Sequence, residues 1–423
     1  MRSVTLIAVA DIERDARTLN LATLLREDGH DVTIVADGTL PPTLQAAGVH
    51  HHRVRLTQPR ALQRMFAMVR AMSGITPTEV IHAMDLFALP AAAKLARSAK
   101  ESGSQDVMES GSGSAHSPVD PGFRRDDEHD DRAPLTAHRT PLTAHNRQLL
   151  TANRKPITVL YDARELYSSL GPLEGKGLRQ RFITAMERRY VRKYVDHVTV
   201  SGPLDAEIIK QDLGLHRMPT VIMNVPPYQE PIVSDRLRDR CGIPSDAPVA
   251  VYQGVVLPGR GLRPCISALR HLPDVHLCIL GEGRARADML AHAERMQVQD
   301  RVHMVGAVPY DELHAWTCSA DVGLCCIEPI SRSYELALPN KLFEYVMARI
   351  PVVVSDLPAM RDVVVSARIG VLVSAALEPL PLAQSIRQAL VMRGTPEFRQ
   401  AADDAAKRYC YEQQRDAVRE AYS

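Results

Sequence analysis

Lys341 and Glu344 stand three residues apart in "ALPNKLFEYVMARIPVVV". That spacing puts both on one face of a helix while Leu342, Phe343, Val346 and Met347 point elsewhere. A helix that opens at Pro339 loses no needed amide there, so its first-turn N–H groups stay free beside the positive end of the helix dipole. Asn340 and Lys341 then sit at a mouth that attracts an anion. Taken alone, the stretch also fits an ordinary surface helix with an intrahelical Lys/Glu pair. Two further segments bear on the choice. "YQGVVLPGRGL" and "LGEGR" place Gly254, Gly259 and Gly261 in tight turns, set Arg260 between two of them, and carry Glu282 at a strand end. Glycines allow the backbone to approach a ligand closely, and a guanidinium between them is a forked donor suited to a diphosphate. A Walker A loop is absent, and no G-x-G-x-x-G follows the first strand, which argues against an NTPase or a simple dehydrogenase.

The elements that must hold these residues read as two α/β series. "SVTLIAVA" followed by "RDARTLNLATLLREDGHDVTIVADG" gives strand, helix, glycine turn and strand, and "EVIHAMD" with "LPAAAKLARSAK" repeats the rhythm. From about 101 to 155 Ser, Gly, Asp, His and Arg dominate, with "PLTAHRTPLTAH" repeating a short unit, and this segment is expected to be a disordered insertion. "PITVLYDARELY", the basic helix 177–195 and "DHVTVSG" complete the first half, and the prolines of "NVPPYQEP" mark a hinge. The second half alternates near-continuous Val/Ile/Leu strands with helices, as a parallel sheet covered on both faces does. The expected division is 1–228, 229–400 and a C-terminal helix at 401–423 that returns to the first domain.

With 423 residues and 45% hydrophobic content the chain can bury sizeable cores, and a formal net charge of +1 speaks against a nucleic-acid binder. Seven cysteines without a C-x-x-C pair are expected to be reduced core residues of a cytoplasmic protein. The start, "MRSVTLIAVADIERD", reads as a first strand and not as a signal peptide. No segment has the apolar length of a spanning helix. Arg179, Arg181, Arg188, Arg189, Arg192 and Lys193 make the helix 177–195 either a solvated face or a place of peripheral contact with the inner membrane face.

In their order, "RGL", "ILGEG", "ADVGLCCIEP" and "LPNKLFEYVMARIPVVVSDLPAMRDVV" resemble the C-terminal domain of the retaining glycosyltransferases of family 4. "IHAMDLFALPAAAKLA", "YDARELY" and "ERRYVRKYVDHVTVS" extend the resemblance over the first half. The resemblance implies a GT-B fold, with two Rossmann-like domains facing across a cleft. It further implies a nucleotide-sugar donor on the second domain and a glycan, lipid-linked or small-molecule acceptor on the first, with no further cofactor and no metal. Carried over, Glu344 would hold the ribose, Lys341 and Arg260 would stabilise the leaving diphosphate, and Gly254, Gly261, Glu282, Glu335 and Asn340 would complete the donor pocket. Asp162 and Arg164 would be the first-domain candidates for catalysis. The chain departs from the family in three places. Eight residues separate Glu335 from Glu344 where seven are usual, Val255 replaces a common arginine, and Met84 and Arg164 occupy the histidine positions of the His-x-His-Asp and Asp-x-His-Glu patterns. Two alternatives stay open: a non-catalytic subunit on the same fold, which the departures at Met84 and Arg164 favour, and a sugar-nucleotide epimerase, which would bind a similar donor but against which the missing histidines argue.

Overall fold

The computed structural model describes residues 1–58, 60–109, 157–167 and 177–423, the side chains of 100–109 excepted. Two parallel sheets are formed. The first contains β1 (Ser3–Asp11), β2 (Asp31–Asp37), β3 (His50–Arg53), β4 (Val80–Ala83), β5 (Thr158–Ala163), β6 (His197–Val200) and β7 (Thr220–Val221), in the order β3-β2-β1-β4-β5-β6-β7. The second contains β8 (Val249–Gln253), β9 (His276–Leu280), β10 (Val302–Gly306), β11 (Val322–Cys325), β12 (Val352–Ser355) and β13 (Gly370–Val373), in the order β10-β9-β8-β11-β12-β13. Both are doubly wound, and β8, β11 and β12 are buried on every residue, as strands covered by helices on both faces must be. The strand order reverses at β1/β4 and at β8/β11, so ligand crevices open beyond the carboxyl ends of those strands.

The helix Leu89–Glu109 runs past Glu101, the expected start of the insertion. Extending a helix already nucleated costs little, so polar residues such as Glu101 and Gln105 can continue it. The remainder of the expected insertion, 110–155, lies outside the described residues. All seven cysteines are free thiols, six of them buried and Cys241 half-buried.

The last segment of the chain crosses back to the first domain. The Tyr411 amide donates to Pro226 O at 2.9 Å, Arg415 pairs with Asp28 at 2.6 Å, and the helix Arg415–Ala421 lies against β6 and β7. Tyr422 then reaches β4, its hydroxyl 2.5 Å from His82 Nδ1.

Above this closure sits a buried ion cluster. Arg17 donates through Nε and Nη2 to the two carboxylate oxygens of Asp162, each at 2.6 Å, and through Nη1 to Ile222 O at 2.6 Å. Thr199 Oγ1 donates to Asp162 at 2.9 Å, and Arg164 Nε adds a bond at 3.0 Å. Arg164 also spans to Asp15 at 2.8 Å and to Thr18 Oγ1 at 2.7 Å. Burial alone would raise the Asp162 pKa, yet the two guanidiniums hold it well below the usual carboxylate range. The pair ties β5 to the helix Ala16–Glu27, and breaking it strands a buried charge. Asp162→Ala is therefore expected to destabilise the protein by about 3 to 5 kcal/mol in urea unfolding. Because the folded pKa is depressed, the stabilisation from Asp162 is complete at neutral pH and is lost as the pH falls below the usual carboxylate range.

Candidate functional site

The second domain presents its polar groups along the carboxyl ends of β8, β9 and β11, and one tyrosine seats them. Tyr345, in the helix Asn340–Met347, lays its ring on Gly323 of β11, where an added Cβ would come within 2.3 Å of the ring. Its hydroxyl lies 3.2 Å from Val251 O and 3.3 Å from Leu324 O, and it accepts the Gln253 amide at 3.1 Å. The helix is thereby fixed across β8 and β11, with Leu342, Phe343, Val346 and Met347 in the core.

Lys341 projects from the first turn of that helix and is only 8% exposed. Its ammonium stands 3.6 Å from the centroid of the Tyr252 ring, and no carboxylate lies within ion-pair distance of it among the described residues. A Cβ added to Gly254 would lie 3.7 Å from Nζ, so the glycine leaves the amine open to the turn after β8. Burial, seconded by the Arg260 charge, lowers the Lys341 pKa to about 8. Glu344 is half-buried one turn later and accepts a hydrogen bond from Gln253 Nε2. Thr317 Oγ1 donates to Gln253 Oε1 at 2.9 Å, which fixes the amide orientation, and burial raises the Glu344 pKa. A carboxylate aligned in this way can accept from a diol.

Arg260 is held by its loop. Gly259 and Gly261 have φ of 81° and 69°, and a Cβ at Gly261 would fall 1.9 Å from Cys326 O. Glu328 accepts the Gly261 amide at 3.1 Å and donates its own amide to Gly259 O at 3.1 Å. The Arg260 guanidinium lies over Tyr334 at 4.8 Å. Glu282 is exposed beyond β9 and pairs with Arg286 at 3.5 Å. Glu335 and Asn340 are also exposed, and neither touches the Lys341 ammonium in a hydrogen bond or ion pair among the described contacts.

The first domain faces this site with Glu165, which accepts from Ser333 Oγ at 3.5 Å; burial raises its pKa and the Arg260 charge opposes that. Asn20, on the helix Ala16–Glu27, donates to Val225 O at 3.3 Å. Asp162, expected as a first-domain candidate for catalysis, is buried away from the cleft, as is His82 at the end of the neighbouring strand, each being 1% exposed. His82 is turned toward Tyr422, and burial lowers its pKa to about 4. Met84 is a fully buried core residue, and the Arg164 charge is taken up by Asp15 and Asp162. Among the described residues, no group of three or more His, Cys, Asp or Glu could hold a metal ion. Gln253, Thr317, Gly323, Glu328 and Tyr345 were missed by the sequence reading. Glu328 alone had a visible signal, as a carboxylate just beyond a strand end in "CCIEP".

Residues 248–391, about a third of the chain, match the family pattern of glycosyl transferases group 1. The D-inositol 3-phosphate glycosyltransferase of Xylanimonas cellulosilytica is 29% identical over 214 residues, 46% of this chain and 48% of that protein. The 2-deoxystreptamine glucosyltransferase of Streptomyces kanamyceticus is 27% identical over 157 residues, 34% of this chain and 40% of that one. The match thus spans less than half the length of these relatives. Among solved structures, Anabaena HepE in complex with UDP and glucose superposes with a TM-score of 0.69 at 13% identity, covering 99% of each chain. Sucrose-phosphate synthase from Thermosynechococcus elongatus gives 0.68 at 13% identity, covering 100% of this chain and 98% of that one. Likeness at that identity is likeness of fold: the architecture is GT-B, and its second domain carries the group 1 glycosyl transferase pattern.

Proposed function

We propose that this protein is a retaining glycosyltransferase that moves a sugar from a nucleoside diphosphate to a glycan, lipid-linked or small-molecule acceptor. The observation that carries the reading is the buried Lys341 ammonium, which has no carboxylate partner within ion-pair distance among the described residues and has a second cation, Arg260, beside it. A buried ammonium at the mouth of a helix, with a half-buried guanidinium on the facing loop, calls for a dianionic or trianionic ligand, and a diphosphate has that charge and reach. Glu344, set by Gln253, accepts from the ribose hydroxyls. UDP is the first nucleotide to test, because HepE shares the fold and was solved with UDP and glucose.

Bond breaking places negative charge on the departing diphosphate, where Lys341 and Arg260 stabilise it without reorganising. The proton of the acceptor hydroxyl passes to a phosphate oxygen on the same face of the sugar, so no buried first-domain base is required. Asp162 and Arg164 serve this reaction by holding the first domain in shape. The cations and amides around the diphosphate take the place of a divalent ion, so chelator leaves turnover unchanged. Free thiols throughout fit a cytoplasmic enzyme.

The test is release of UDP from UDP-sugars with an acceptor panel, together with anomeric analysis of the product. Lys341→Ala and Arg260→Ala are each expected to lower kcat by about 10²- to 10³-fold, whereas Glu344→Ala weakens UDP binding by about 1.5 to 3 kcal/mol. An inverted product, or unchanged kcat in both cation variants, contradicts the mechanism, and UDP binding with no turnover by any donor makes the protein a non-catalytic subunit.

A pH series gives an independent check. Protonated Lys341 binds the diphosphate, so UDP affinity is full below about pH 8 and falls as the pH rises through it, by up to about tenfold per unit. Calorimetry across that range reads the change, and in Lys341→Ala this step disappears.

A further inference from the structure

The outer face of the first domain carries a surface that the transfer reaction does not use. The helices Ala61–Ala71 and Gly177–Tyr194 lie on the same side of the first sheet, flanking the helix Leu89–Glu109, which both of them touch. In the helix Gly177–Tyr194 the inward positions Glu187 and Val191 are buried, and the Glu187 carboxylate accepts from Tyr161 OH at 2.6 Å. The one acidic residue of that helix is therefore spent inside the domain. Its outward face keeps Arg181, Arg188, Arg189 and Arg192 exposed, with Arg188 Nε donating to the Asp212 carbonyl. Among them stand Leu178, 86% exposed, and Phe182, 63% exposed. On the neighbouring helix, Phe66 is 65% exposed and Leu62 44%, with Arg60 and Arg70 exposed at its two ends. Neither helix has an exposed carboxylate.

We propose that this face is a docking surface for an anionic lipid bilayer. The positive charge requires an anionic partner, and guanidiniums are matched to phosphate in headgroups. The apolar side chains choose among anionic partners. Leu178 and Phe182 lie a helical turn apart on the arginine face, so seating the arginines at a headgroup layer pushes both toward the acyl boundary, where burying them is favourable. A nucleic-acid backbone satisfies the same charges but gives exposed leucine nothing to enter. No described helix is long and apolar enough to cross a membrane, so the contact is one of lying on the surface. The inference stands on this face alone and is independent of the donor site; it gives a lipid-linked acceptor a way to reach the cleft from the same bilayer.

The experiment is flotation of the full chain with vesicles of phosphatidylcholine alone and with phosphatidylglycerol mixed in. Binding is expected to the anionic vesicles only and to weaken with salt. Each basic residue at an anionic surface contributes about fivefold, so Arg181→Glu with Arg192→Glu should lower partitioning by at least ~25-fold. Leu178→Ser with Phe182→Ser should lower it by at least ~10-fold. All four side chains are exposed, so both double variants should keep the wild-type melting temperature, which guards against a folding artefact. Absent vesicle binding, equal binding to neutral vesicles, or unchanged binding by both variants would overturn the proposal. Tighter binding to a single-stranded RNA oligomer than to anionic vesicles would overturn it as well, making the face a nucleic-acid surface.

Discussion

The packing of Tyr345 on Gly323 is the contact on which the second domain's chemistry depends. A ring can reach the strand only because that strand residue has no side chain, and once there its hydroxyl joins β8 and β11 at a single atom. Everything polar in the site is referred to this point. Lys341 lies four residues before the tyrosine and Glu344 one before it, so the angle at which the ring docks decides where an ammonium and a carboxylate stand relative to the turn after β8. Gln253, whose amide N–H binds the same hydroxyl, returns the favour through its side chain by aligning Glu344.

The two domains handle charge in opposite ways. In the first, Arg17 and Arg164 are matched by Asp162 and Asp15, and the cluster is closed to ligands. Burying paired charges is costly in desolvation, but once formed the pairs resist rearrangement, because removing one partner leaves the other charge buried and uncompensated. In the second, Lys341 has no carboxylate within ion-pair distance among the described residues and rests on the face of Tyr252, which attracts the ammonium without pairing its charge. The first arrangement holds shape, and the second leaves electrostatic attraction for something that arrives from outside.

This difference also explains what could be read in the sequence. Strand and helix alternation, the Gly-Arg-Gly turn and the Lys341/Glu344 spacing are local patterns, and the residues that make them are close in the chain. Asp162 and Arg164 sit in "YDARELY" as if poised for chemistry, but their partners Arg17 and Asp15 are some 145 to 149 positions away. No spacing rule connects them, so burial reads as exposure until the fold is known. Tyr345 was passed over for a related reason: an aromatic residue in an apolar helix looks like core, and its polar tip acquires a meaning only from strand carbonyls brought to it by the sheet. Glu165 was visible at a strand end, yet only the juxtaposition of the two domains sets it against Ser333 and Arg260.

The return of the last segment to β4, through Tyr411, Arg415 and Tyr422, bears on how the protein is made. The first domain emerges from the ribosome early, with His82 and the flank of β6 and β7 still uncovered. The piece that covers them is translated only after the whole second domain. Until that segment is translated, the first domain lacks the contacts that cover this flank, so its full set of native contacts becomes available only once the second domain has been made.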